Sequence, residues 1–223
     1  MPFMLSARQP NPAGAHAWFA SPAGLAVLAS EAAGVADALR QRPGQAALWL
    51  APPAVDLLQG EGDALTLRLR CHGAGFNGTV RCGLPLPLAS ETCAVVIVQH
   101  VLDTEPTDAA VPLLEECARV LVPGGWLWLF ALNPLSPYRW RWRGGALSAR
   151  EPITWRRRLR AAGLAPEAVS LGVGPVWSIA AATGEHEGAG LHASYLLRAE
   201  KRARALTPQR RLRALRWQAE PSA

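Results

Sequence analysis

Five polar side chains stand where apolar stretches end. Gln99 and His100 follow residues 94–98 (AVVIV), Asp103 lies three residues on, and Asn133 and Ser136 follow residues 126–132 (WLWLFAL). A histidine suits proton transfer near neutral pH, because its ordinary pKa lies there. An aspartate three residues away can orient it or merely cap a turn. Asn133 can hold a substrate through its amide or form an Asx turn before Pro134. His100 can equally pack, or bond to a loop carbonyl. No other cluster competes. The four cysteines (71, 82, 93, 117) form no CxxC pair, and His16, His72, His186 and His192 have no ligand spacing, so no metal site is expected. Glu185-His186-Glu187 sits between glycines and reads as a solvated loop.

The elements that carry these residues read as one unit of a parallel α/β sheet. Residues 94–98 and 126–132 are continuous apolar runs, as in strands covered on both faces. Between them Asp108 can cap a helix over 109–121, with Leu113, Leu114, Cys117, Val120 and Leu121 on one face. Pro123-Gly124-Gly125 ends it. A strand–helix–strand crossover is right-handed, and ligands of such sheets bind beyond the carboxyl ends of the strands. Upstream, Ser21-Pro22 opens a helix to about Arg42 with Leu25, Leu28, Ala32, Val35 and Leu39 as its buried stripe. Strands are expected at 46–50 and 64–69, a turn at 73–78, and a short strand at 79–82. Downstream, a helix over 155–162 stops at Gly163. Residues 169–173 and 195–201 read as a last, antiparallel strand pair.

The 223 residues, half of them hydrophobic, suit one domain over 1–205 with a basic tail at 206–223. No unbroken apolar run reaches the roughly 18 residues of a membrane span. The start, MPFMLSARQPNP, lacks the pattern of a signal peptide. Free thiols in apolar settings point to a reducing cytoplasm. Charge is uneven: residues 1–138 carry 7 basic and 11 acidic side chains, residues 139–223 carry 16 and 6. The basic half opens with Tyr138-Arg139-Trp140-Arg141-Trp142-Arg143. Arginines among aromatics suit an RNA strand or an anionic small molecule. Alternatively, Trp140 and Trp142 pack while the arginines are solvated. In the tail, Leu206, Leu212, Leu215 and Trp217 beside Arg210, Arg211, Arg213 and Arg216 could form an amphipathic helix. It could dock to the domain, to a protein partner or to an acidic membrane surface.

Five segments carry a family resemblance: 18–24 (WFASPAG), Leu86-Pro87, 100–103 (HVLD), 118–125 (ARVLVPGG) and 133–136 (NPLS). Over roughly residues 16–175 the chain resembles class I S-adenosylmethionine-dependent methyltransferases of the type 11 group, in particular a bacterial subgroup. The resemblance implies a Rossmann-like, mostly parallel seven-stranded sheet with helices on both faces, and S-adenosylmethionine as cofactor. It places Leu50, Ala51, Pro52, Arg70, Cys82, Gly83, Leu86, Gln99 and His100 around the methyl donor. His100, Asp103 and Asn133 become the catalytic candidates, and Ser136, Tyr138, Arg139, Trp140, Arg141 and Arg143 the substrate contacts.

The chain departs from the family at four points. Its first strand runs into Ala51-Pro52-Pro53-Ala54, where the family has a glycine-rich loop. Arg70-Cys71-His72 stands where the family has an acidic residue for the ribose hydroxyls. Cys82 replaces an aspartate near the adenine, and Cys93-Ala94 replaces an FD pair. Two functions follow. One is methyl transfer to a small molecule or RNA. The other is a catalytically inactive fold that binds partners through its basic, Trp/Arg-rich half.

Overall fold

The computed structural model describes residues 12–55, 65–73, 75–104, 110–143 and 146–202. Two helices, α1 (Pro12–Trp18) and α2 (Pro22–Arg40), precede strands β1 (Ala47–Ala51), β2 (Thr66–His72), β3 (Gly75–Gly78) and β4 (Cys93–Gln99). Short helix α3 (Val101–Thr104), helix α4 (Ala110–Val120) and the long β5 (Leu121–Leu132) follow. A 3-10 turn (Pro137–Arg141), α5 (Pro152–Ala161) and strands β6 (Ala165–Pro166), β7 (Leu171–Val173), β8 (His186–Glu187) and β9 (Ser194–Glu200) complete the fold. The expected cap at Asp108 and the tail at 206–223 lie outside the described residues.

All the strands join one sheet in the order β3-β2-β1-β4-β5-β9-β7-β8, with β6 beside β9. The neighbours β2-β1, β1-β4 and β4-β5 are parallel, and every other pairing is antiparallel. The sheet is therefore mixed: a parallel centre with antiparallel flanks on both sides. Strand alternation sorts the core. Leu48, Leu50, Val96, Val98, Leu127 and Leu129 face α4 and α5. Trp49, Val95, Ile97, Trp128 and Phe130 face α2.

Several expectations change. Among the described residues the sheet has nine strands rather than seven, with three parallel pairings. Helix α4 ends at Val120, and Pro123-Gly124-Gly125 lies inside β5 instead of closing the helix. The 73–78 segment is a turn only at its start, where Gly73 takes φ +59°; residues 75–78 then return antiparallel to β2. A hairpin needs only a few residues there, whereas a parallel return needs a dozen or more. Residues 79–82 form no strand, although Cys82 bridges Phe76. The buried stripe of α2 is also rotated. It runs through Ala23, Val27, Ser30, Glu31, Gly34 and Ala38, while Leu25 is exposed. Of the expected stripe, Leu28 and Val35 are buried and Leu39 is half-buried, while Ala32 is exposed like Leu25; all five line a cavity of about 700 Å³ against Trp49 and Val55.

The helix begins as read. Ser21 caps it, its Oγ accepting from Gly24 N–H at 3.2 Å. Among the described helices α2 alone is long and apolar enough to cross a membrane by length and composition. It spends that apolar surface on the sheet, with ten of its residues buried.

Candidate functional site

At the carboxyl end of β4 the chain turns sharply. His100 takes φ +54°, a left-handed conformation uncommon for a side-chain-bearing residue. Its N–H is held by the Phe130 carbonyl at 3.0 Å, and its own carbonyl accepts from Asp103 N–H at 3.2 Å. That bend turns the imidazole inward rather than out over the edge, and it is fully buried. Phe19 stacks on it at 4.8 Å between ring centroids. The loop carrying Phe19 lies close on α2 because position 24 is glycine; a Cβ there would run into the Trp18 carbonyl.

Both imidazole nitrogens face carboxylates. Nδ1 lies 2.8 Å from Asp103 Oδ2, and Nε2 lies 2.9 Å from Glu31 Oε1. Glu31 comes from the middle of α2 and is fully buried. It also accepts from Gln99 Nε2 at 2.9 Å and Ser194 Oγ at 2.5 Å. Gln99 Oε1 accepts from Trp49 Nε1 at 3.2 Å, and Asp103 Oδ2 from Leu132 N–H at 2.8 Å. One network thus ties α2, β1, β4, α3, β5 and β9.

Its electrostatics fix the protonation state. Burial pushes His100 down, but the charge of Glu31 and the hydrogen bonds to Asp103 and Glu31 outweigh it and hold the pKa at about 9. Burial raises Asp103 against the pull of His100. His100 is therefore an imidazolium at neutral pH, donating from both nitrogens.

His100 and Asp103, expected as base and orienting acid, are fully buried and face each other and Glu31 rather than the open edge of the sheet. Glu31 escaped the sequence reading. The available signal was a carboxylate alone in an otherwise uncharged helical stretch, residues 22–36; only the fold supplies its partner, 69 residues away.

Asn133 and Ser136 also turn inward. Asn133 Nδ2 faces the Gly190 and His192 carbonyls, each at 3.0 Å, and its Oδ1 accepts from Leu135 N–H at 3.1 Å. Ser136 Oγ donates to the Leu191 carbonyl at 2.7 Å and accepts from Tyr138 N–H at 3.1 Å. Both residues hold the 189–192 loop. Asn133→Ala is expected to cost about 0.5–1.5 kcal/mol by removing hydrogen bonds to partly buried carbonyls, lowering the thermal midpoint by roughly 1–6 °C. An unchanged midpoint in scanning calorimetry would refute this bracing role.

The residues expected around a donor divide. Leu50, Ala51, Pro52 and Leu86 are buried, and Gln99 is committed to Glu31 and Trp49. Cys82 is half-buried and bridges backbone to Phe76, while Gly83 is exposed. Arg70 lines an open cleft of about 360 Å³ at the carboxyl end of β2, with Pro53, Cys71, His72 and Asn77. A second cleft, about 510 Å³, lies past β5 among Tyr138, Trp140, Arg141 and Trp177. Of the Trp/Arg segment, Tyr138 and Trp142 are buried, whereas Arg139, Trp140, Arg141 and Arg143 are exposed. No metal-binding group exists among the described residues.

Residues 45–129 match the family described as methyltransferase domain. No curated protein matches the sequence. Among solved structures, the fold is similar to an S-adenosylmethionine-dependent methyltransferase from Thermotoga maritima, described as a possible histamine N-methyltransferase. The TM-score is 0.53 at 14% identity, over 84% of this chain and 91% of that one. It is also similar to a methyltransferase of the same cofactor class from Archaeoglobus fulgidus, with TM-score 0.52 at 12% identity, over 76% and 92%.

Proposed function

We propose, from the premise that this chain carries a methyltransferase domain of the class I S-adenosylmethionine-dependent family, that it transfers methyl groups without a side-chain base. The observation that carries the reading is the cleft beside Arg70, which lies at the carboxyl ends of the parallel strands, where this fold binds its ligands.

S-adenosylmethionine is the cofactor of the family. The cleft suits it in size, since about 360 Å³ falls in the ordinary range of ligand pockets. It suits it in chemistry too: Arg70 can meet the carboxylate, and Asn77 and His72 can bond ribose hydroxyls in place of an acid. When bound, the cofactor supplies an electrophilic methyl group on a sulfonium. The chain's own residues then supply position. The buried His100–Glu31–Asp103 network holds the ends of β4 and β5 rigid, and rigid placement of two reactants is a large part of the gain in a displacement. Because His100 and Asp103 are sealed inside, the acceptors that fit are those whose attacking atom needs no proton removed by these side chains, as a ring nitrogen or a thiolate. Acceptors in two classes fit, a small molecule or RNA, and the cleft beside Trp140 is the entry we assign to them. We place the protein in the cytoplasm, a reading supported by its four free thiols, and treat residues 1–205 as one domain.

Calorimetric titration with S-adenosylmethionine and S-adenosylhomocysteine tests the reading. Micromolar binding is expected. Arg70→Ala is expected to weaken it about ten- to a hundredfold, the worth of one hydrogen bond to a charged group. No heat up to millimolar donor would overturn enzyme activity.

One set of observations favours a second reading, a binding protein built on this fold. Pro52 and Pro53 remove amide donors where the donor's tail would lie, and the polar residues at the ends of β4 and β5 are committed to each other. Under that reading the same titration is silent.

A further inference from the structure

We propose that the cleft between the 137–141 turn and the 176–177 segment is a binding surface for single-stranded nucleic acid. The cleft is that of the acceptor entry above, but the proposal holds with or without methyl transfer.

Two tryptophans on its walls face solvent. Trp140 is 61% exposed and Trp177 is 68% exposed. Neighbouring aromatics of the same segment are driven inside: Tyr138 is 1% exposed and Trp142 7%. The exposed pair is thus not a by-product of a loosely packed strip.

The platform beneath is firmly anchored. Tyr138 donates its hydroxyl to the Ala23 carbonyl at 3.2 Å, and Trp18 Nε1 donates to the Arg141 carbonyl at 3.0 Å. Arg141 Nη2 donates to the Trp177 carbonyl at 2.7 Å and so links the two walls. The backbone that carries both indoles is thus held in place, which lowers the ordering cost of stacking on a flat ligand.

Charge selects which flat ligand. The Arg143 guanidinium lies 4.4 Å from the Trp140 ring centroid, and that of Arg139 lies 5.9 Å away. Both are exposed, as is Arg141. No acidic residue occurs in 134–150 or 168–184, the stretches of sequence around the lining residues. Bases have π faces and phosphates have charge, so a strand of unpaired nucleotides meets both features at once. A polymer is favoured over a single nucleotide because two separate exposed indoles and three exposed arginines offer more than one base and more than one phosphate a place. In a duplex the base faces are already stacked on one another and are not open to Trp140 and Trp177.

The test is fluorescence anisotropy of a labelled 12-nucleotide oligouridylate with the full chain and no methyl donor, from 50 to 300 mM salt. Saturable binding that weakens with salt is expected. Trp140→Ala and Trp177→Ala are each expected to weaken it roughly 5- to 150-fold, the range for one lost base stack. Arg139→Gln with Arg143→Gln should lower the salt slope by about 1.4, near 0.7 for each phosphate contact on a single strand. Circular dichroism checks that each variant folds.

Four results would overturn the proposal: no binding by the unaltered chain, unchanged affinity in both tryptophan variants, equal affinity for a duplex, or full displacement by uridine monophosphate at comparable concentration. Loss on substituting Arg210, Arg211 and Arg213 but not the tryptophans would assign binding to the tail instead. Binding to phosphatidylserine vesicles in place of the oligonucleotide would make the surface a membrane contact. Since no donor is present, failure here leaves the methyltransferase reading untouched, and a silent donor titration leaves this one untouched.

Discussion

Glu31→Ala is expected to lower folding stability by about 3–5 kcal/mol, the usual cost of removing one partner from a buried ion pair. In a chain of this size that corresponds to a fall of roughly 6–20 °C in thermal midpoint. Loss of a charge is not the whole cost. Two donors lose their acceptor at once, on His100 and Gln99, Ser194 Oγ keeps only the Val173 carbonyl at 3.2 Å, and the substitution leaves the imidazolium with Asp103 alone. Scanning calorimetry of the two proteins decides it. A fall under about 1 kcal/mol, the range of an exposed pair, would show that Glu31 is not buried against His100. Glu31→Gln offers a milder control, since an amide keeps an acceptor oxygen while removing the charge.

The second large effect is a loss of stability on the alkaline side of neutrality. His100 is held at about 9 in the folded protein, against an ordinary value of 6.5. A raised pKa means that the folded chain keeps a proton which the unfolded chain has released. The associated stability is whole below pH 6.5 and is lost as pH rises through 9. The amount is on the order of 3 kcal/mol, so the midpoint should fall by roughly 6–12 °C across that window.

The cysteines do not obscure it. Burial holds Cys93 at about 11 and Cys117 at about 12, against an ordinary 9.0, so their loss begins only above pH 9. A midpoint that stays flat from pH 6 to 9 would sink the assignment of a protonated His100. Asp103→Asn should move the decline to lower pH, because it removes one of the two carboxylates that keep the proton on.

Much of the architecture was written in local pattern. The AVVIV and WLWLFAL runs are too continuously apolar for anything but strands covered on both faces, and they lie within β4 and β5. Leu113, Leu114, Cys117 and Val120, spaced at helical intervals, are buried on α4 as their spacing demands, whereas Leu121 is buried as the first residue of β5. Ser21-Pro22 starts α2 because a hydroxyl cap and a missing proline N–H both suit a first turn. The final strand pair is antiparallel as read. Such features depend on neighbours within a few residues, so the sequence carries them openly.

The site belonged to the tertiary structure. Composition placed Gln99, His100, Asp103, Asn133 and Ser136 at strand ends, but nothing local says whether a side chain there turns out to solvent or inward. That choice fell to a left-handed His100 and to Glu31 arriving from a helix 69 positions earlier. It fell equally to carbonyls from the 189–192 loop, which take up Asn133 and Ser136. The same limit explains the Trp/Arg segment, where alternating residues gave no hint that Trp142 is interior and Trp140 is not. Local sequence determines which elements form, because hydrogen bonds and hydrophobic periodicity are short-ranged along the chain. Which polar groups are buried together is settled only when distant segments pack, since each such group needs partners that its own segment lacks.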